Sequence, residues 1–328
     1  MSDSPYLISF IVLTSLPLTI LMTGAFNRLS FRFKLLGRDV HKPTMPLVPS
    51  VGGLGFVCSY LFVTALSLSF LGASAGVVVF VLVPLIAALI GLVEDLRELN
   101  PVLKPFLLVI PGVVVLVLGL YDPFPIIPFI GQVRLTIVYP LILLLAYPVV
   151  CNAVNSLDVL NGSLILTSVP VLSVLGALSY LNGSLDSAIA AVTLSLGLLG
   201  FARFNLYPAR SFSGNAGSLM IGAVITSVAI YSKLEVVALT ALLPHIMNEF
   251  HLLSSIGGLK SGKSYRRRPV EVANGMIRAS VEPSAPLTLV RMLTLSAPQG
   301  EARLVLRLGL ISTTSSVLAV MTHVLGGL

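Results

Sequence analysis

Charge is what this sequence has least of. Lys and Arg number 20 and Asp and Glu 13 among 328 residues, 10% of the chain, where about 25% is usual for soluble domains. So few charges cannot cover the surface of a soluble enzyme of this size, and a disordered chain would need still more. Both classes are excluded. Cysteine is nearly absent too: Cys58 and Cys151 lie in or beside apolar runs and give no disulfide framework. Of four histidines, His245 and His251 stand six residues apart, without the spacing of a zinc site. There is no internal repeat and no low-complexity segment. What fills the chain is apolar, 56% of residues with a mean hydropathy of +1.00. That is the composition of a membrane protein.

A hydrocarbon core of about 30 Å takes about 20 helical residues to cross, and continuous, non-alternating apolar runs favour helices over barrel strands. Ten spans are expected, at 5–26, 52–72, 76–93, 105–120, 134–151, 163–181, 186–202, 217–232, 236–256 and 303–325. The fold class is an all-α polytopic membrane protein. It forms a single integral domain over residues 1–328, with a loop at 257–302 between the last two spans. The first run lacks a basic start and is long, so it reads as a retained span. With ten spans, 18 of the 20 basic residues fall on one side, leaving only Arg134 and Lys233 on the other. The positive-inside rule makes the crowded side cytoplasmic and puts both termini outside. The expected location is the cell membrane, or the endoplasmic reticulum membrane in a eukaryote.

The polar residues collect on the same side. Glu94 and Asp95 close the third span, where two carboxylates oppose the helix dipole at about 0.3–1 kcal/mol each. A cation, either Mg²⁺ or Lys104, would reverse that sign; an ordinary solvated loop start would need none. Asn152, Asn155 and Asp158 recur every third residue on one helical face, with Asn161 and Gly162 following. Buried amides are costly unless paired, so these residues form either a site or interhelical hydrogen bonds. The run from Gly214 to Ser218 precedes the eighth span, as a phosphate cradle or as a plain N-terminal cap. Gly257 to Ser264 fits G-x-x-x-x-G-K-[ST]. A membrane helix precedes it, however, and the run from Tyr265 to Pro269 breaks any helix after it, so no nucleotide-hydrolysing P-loop is expected. Arg266, Arg267 and Arg268 suit anionic lipid headgroups or a bidentate grip on a pyrophosphate. Together the pieces describe one cytosol-facing pocket for a phosphorylated, water-soluble substrate that meets a lipid.

These motifs resemble the polyprenyl-phosphate N-acetylhexosamine-1-phosphate transferases over nearly the whole chain. Gly37 to Lys42 with Pro49 to Gly53 is similar to the family's first loop. Gly91 to Asp95 with Lys104 resembles its acidic pair and following lysine. Asn152 to Asn155, through Asp158 to Asn161 and Gly162, resembles its Asn/Asp-rich central helix. Phe204 to Arg210 with Gly214 to Ser218 resembles the segment that ends at its metal-binding position. The family's layout also has ten spans with both termini outside. In the last loop the bacterial His-x-His-Pro motif is missing. Arg266 to Pro269, and later Ala285 to Leu293, resemble instead the branch acting on UDP-GlcNAc and dolichyl phosphate, and the short chain suits an archaeal member.

The resemblance implies transfer of GlcNAc-1-phosphate from UDP-GlcNAc to a polyprenyl (dolichyl) phosphate with release of UMP. This reaction begins lipid-linked oligosaccharide assembly for N-glycosylation; a related transferase for cell-envelope glycans is the neighbouring alternative. It implies Mg²⁺ or Mn²⁺ held by Asn155 and Asn215, and catalysis by Asp95 with Glu94, Lys104 and Asp158. Asn161 would bind the uracil, and Arg266, Arg267 and Arg268 the pyrophosphate or sugar. Asp39, Lys42, Gly214, Gly217 and Ser218 complete the substrate-binding set. UDP-GlcNAc, polyprenyl phosphate and membrane lipids are the expected partners, with a homodimer left open and no nucleic acid. Three departures stand out: the acidic pair, usually Asp-Asp, begins with Glu94; the family's metal-binding Asp is Asn215; and Asp158 is acidic where the eukaryotic enzymes are often neutral. Asn215 motivates a further alternative, a catalytically weakened homologue. A rival of another class, a transporter of an anionic solute, would place ionisable groups near the bilayer midplane. Here mid-span ionisable groups are nearly absent apart from His245, Glu249 and His251.

Overall fold

The computed structural model describes residues 4–259 and 267–326. Arg266 and part of the P-loop-like stretch lie outside them. Ten helical stretches follow one another: α1 (Tyr6–Arg32), α2 (Leu54–Leu71), α3 (Ser74–Leu96), α4 (Leu103–Val117), α5 (Tyr139–Leu157), α6 (Ser163–Leu181), α7 (Leu185–Asn205), α8 (Gly214–Tyr231), α9 (Glu235–Ala241 with Leu243–Ile256) and α10 (Glu301–Leu325). Among the described residues, eight are long and apolar enough to cross a membrane, nine when the two halves of α9, bent by 65°, count as one span. The chain is a multi-pass membrane protein.

Two spans differ from expectation. The fourth, expected at 105–120, is shorter and is interrupted at Leu108, between Leu103–Leu107 and Val109–Val117. Pro105 and Pro111 remove N–H donors on either side of that break. The ninth bends at Leu242, beside Pro244, the usual cause of a sharp kink. The 257–302 loop carries structure as well, with a hairpin of Val270–Ala273 and Met276–Ala279 and one helical turn, Leu289–Leu293.

Pro84 in α3 shows how such a break is absorbed. Proline cannot donate to the carbonyl four residues back, here that of Phe80. The helix widens to π geometry over Val78–Leu82, and the fully buried Tyr60 hydroxyl on α2 donates to the Phe80 carbonyl at 2.8 Å.

At the centre stands α8. Of its span 83% is buried within the protein, against 33% for α1. A Cβ added at Gly91 of α3 would lie 2.4 Å from the Asn215 carbonyl oxygen, and one at Gly222 of α8 would lie 2.5 Å from the Cys151 Cα on α5. Between apolar helices such close packing supplies the attraction that the hydrophobic effect cannot give in lipid. It draws the ends of α3 and α5 onto the start of α8.

The bundle has two distinct ends. At one, Tyr121 stacks on Tyr139 at 5.8 Å between ring centres, Lys233 pairs with Asp122 at 2.6 Å, and Tyr139 donates to Glu235. At the other gather the last residues of α3, α5 and α7, the first of α4, α8 and α10, and the short hairpin Leu36–Arg38 with Leu47–Pro49.

Candidate active site

Gly214, with φ +67°, turns the chain into α8, a backbone shape that glycine adopts without strain. The Asp95 carboxylate at the end of α3 accepts the first backbone N–H groups of α8, from Asn215 at 2.8 Å and Ala216 at 3.1 Å, and the Asn215 side-chain amide at 2.9 Å. A carboxylate that opposes the dipole of its own helix thus caps the positive end of another. Its neighbour Glu94 pairs with Lys104 at 2.7 Å. Lys104 donates onward to Asn155 Oδ1 at 3.1 Å, and Asn155 Nδ2 donates to Asn215 Oδ1 at 2.8 Å and to Ser218 Oγ at 2.7 Å. Asp158 accepts the Ser213 hydroxyl. Burial pushes the Asp158 carboxyl up to about 6, with Asp95 adding to the rise and the Ser213 hydrogen bond opposing it.

A second cluster lies beside the first. Asn161 Oδ1 accepts from Lys42 at 3.3 Å and from the Ala209 N–H at 2.7 Å, while Nδ2 donates to Asp39 at 3.2 Å. Lys42 pairs with Asp39 at 3.1 Å and with Glu301, and its ammonium sits 4.5 Å over the Tyr207 ring. Glu301, the first residue of α10, also accepts the Asn161 backbone N–H at 2.8 Å. Sequence reasoning missed it: a single acid 140 residues from its partner carries no local signal. Asp39, His41 and Glu301 bring their ligand atoms within 4.8 Å of one another and could hold a metal ion. Lys42 already supplies a cation to two of the three. Burial lowers the pKa of His41 against the pull of Glu301 and Asp39, which favours the neutral imidazole.

A cavity of about 560 Å³ has Glu94, Asp95, Lys104, Asn155 and Asn215 in its walls. A second, of about 330 Å³, shares Asp95, Asn155 and Asn215 and reaches Asp39, Asp158 and Asn161. An apolar groove of about 460 Å³ runs between α4, α5 and α9, past Phe106, Val149 and Phe250, and shares Asn152 and Glu249 with the larger cavity. Arg267 and Arg268 border a further hollow with His41, which also faces the second cavity. Arg267 lies 3.6 Å from Glu282. Gly217 is placed elsewhere: a Cβ there would meet the Phe56 ring at 2.6 Å, inside the contact of α8 with α2. It lines neither polar cavity.

Fold and site define a multi-pass membrane protein whose chemically active side chains gather at one end of the bundle, beside an apolar groove. Residues 77–233, from α3 to just past α8, match the profile of glycosyl transferase family 4. That match covers just under half of the chain. The chain is 27% identical, over 79% of its length and 80% of the relative's, to a protein of Saccharolobus solfataricus provisionally named UDP-N-acetylglucosamine–dolichyl-phosphate N-acetylglucosaminephosphotransferase. A Sulfolobus acidocaldarius protein with the same provisional name is 28% identical over 64% of the chain and 67% of the relative. A phospho-N-acetylmuramoyl-pentapeptide-transferase of Clostridium botulinum is 30% identical over 57% of the chain and 60% of the relative.

Proposed function

We propose that the protein transfers GlcNAc-1-phosphate from UDP-GlcNAc to dolichyl or another polyprenyl phosphate, releasing UMP. The observation that carries this reading is the wall of Asp95, Asn155 and Asn215, common to two polar cavities, one of which continues into an apolar groove. A soluble donor and a lipid acceptor need such a meeting point for their phosphates. The prenyl chain lies in the groove, and the uridine end of the donor lies in the second cavity towards Asn161. Arg267 and Arg268, which border the hollow that shares His41 with that cavity, hold the pyrophosphate or sugar. The names of the archaeal relatives support the same substrates.

In this reaction an acceptor phosphate oxygen attacks the β-phosphorus of the donor. A new P–O bond forms as the bond to UMP breaks. A phosphomonoester with a second pKa of about 6 is already largely dianionic at neutral pH, so little general-base help is required. Repulsion between two anions is the larger obstacle. Lys104, buried at the shared wall, offers positive charge to the incoming phosphate. Asp95 holds the start of α8, and with it Asn215, in place. The amide oxygens of Asn155 and Asn215 are of the hard-donor kind that a divalent cation takes. Asn155 and Asn215 would hold Mg²⁺ or Mn²⁺, which would supply positive charge to neutralise the reacting phosphates. The site faces the cytoplasm of the cell membrane in this reading.

The test mixes purified protein, labelled UDP-GlcNAc, Mg²⁺ and dolichyl phosphate. Lipid-linked sugar and UMP are expected, with a loss of about 100-fold or more in Asp95→Asn. No product, with Asp95→Asn indistinguishable from wild type, would sink the reading. A panel of UDP-hexosamines on the same preparation separates GlcNAc transfer from an envelope-glycan donor, which the bacterial relative's name raises.

A further inference from the structure

We infer that Glu249 is the carboxylate that balances the divalent cation at the wall where acceptor and donor phosphates meet. The inference rests on the transferase reading and assigns a residue outside the motifs that carry it. Glu249 lies in the half of α9 beyond the bend and is the acidic residue common to the larger polar cavity and the apolar groove. Its polar neighbours are Ser156 and Lys104. The backbone that presents it is held firmly: Asn248 donates to the Ser156 carbonyl and hydroxyl at 3.1 Å each, and accepts the Leu289 N–H at 2.9 Å.

An acid on an otherwise apolar helix face is costly unless something repays its desolvation. An acceptor phosphate whose tail fills the groove arrives at this carboxylate, and two anions face each other there. A cation between them removes the conflict. The other acids of the larger cavity are committed, since Asp95 accepts three N–H donors from α8, Glu94 pairs with Lys104 and Glu98 has an interaction of its own. Asn155 and Asn215 offer neutral amide oxygens. Amides alone give a hard cation ligands without charge, and affinity in oxygen sites follows the number of charged ligands. Glu249 supplies the missing charge from the acceptor side.

The experiment measures Mn²⁺ binding to the detergent-solubilised full chain, without substrates, from the electron paramagnetic resonance signal of free Mn²⁺. Glu249→Gln should weaken binding about tenfold or more, and Asn215→Asp alone should tighten it. The double variant should return close to wild type. Wild-type affinity in Glu249→Gln, or no gain in Asn215→Asp, overturns the inference; the second measurement stands even where Glu249→Gln fails to fold. Wild-type protein that forms lipid-linked sugar while Glu249→Gln binds Mn²⁺ normally removes the inference and leaves the transferase reading intact. Wild-type protein that forms no such product removes both.

Discussion

Glu301 holds two partners with one buried carboxylate: the Asn161 backbone N–H at 2.8 Å and the Lys42 ammonium. Through them it fixes one wall of the second polar cavity. A glutamine there keeps an acceptor for the N–H but loses the charge that holds Lys42, so the change acts on ground-state binding. In Glu301→Gln, KM for UDP-GlcNAc should rise about tenfold, about 1.4 kcal/mol of lost binding, with kcat nearly unchanged. Initial rates over a range of donor concentrations decide it, and a lowered kcat at constant KM would remove the nucleotide from this cavity. Asp158 gives a pH prediction. Its carboxyl is raised to about 6 in the fold from 3.8, so between those values the folded state holds a proton that the unfolded state has released. Stability from this group is therefore present below about pH 4 and lost as pH rises through about 6. Thermal unfolding from pH 4 to 7.5 should show that fall in wild type and a flatter profile in Asp158→Asn. The acid pair, the lysine and the amides of this site were legible because each sits within a short motif. Glu301 was not, and Glu249 stood out only as an ionisable group within a span, because their meaning comes from residues far along the chain.

At the scale of elements, prolines decide where helices depart from regularity, and their repair is tertiary. In α3 the Phe80 carbonyl, deprived of a donor by Pro84, takes its hydrogen bond from Tyr60 on α2. Tyr60→Phe orphans that buried carbonyl, at a cost of about 1–3 kcal/mol. Pro84→Ala restores an N–H four residues along, so Tyr60→Phe should cost about 1 kcal/mol less in that background. Unfolding midpoints of the four proteins close the cycle; equal costs in both backgrounds would mean the hydroxyl serves another purpose. The spans themselves were legible from apolar run length. The π stretch and the 65° bend of α9 were not. Proline marks a possible break, whereas only the neighbouring helix decides whether the chain bends, widens or carries on.

At the scale of the whole molecule, the two ends of the bundle differ in charge as well as chemistry. Lys233, paired with Asp122, and the exposed Arg134 are the basic residues of the end away from the site; every other described Lys or Arg lies in the segments at the site end. That asymmetry, 18 of 20 when the whole sequence is counted, predicts a site open to the cytoplasm. Asn182, exposed at the end of α6, and Arg210, exposed before α8, mark the opposite ends. Cys58 is partly accessible and is replaced by serine, whereas Cys151 is buried and stays. In that background a membrane-impermeant maleimide added to intact cells should label Asn182→Cys at once. Arg210→Cys should react only after permeabilisation. The opposite pattern would turn the shared wall of Asp95, Asn155 and Asn215 away from the compartment that makes nucleotide sugars, and no assignment of individual residues could then rescue the donor's route to the site.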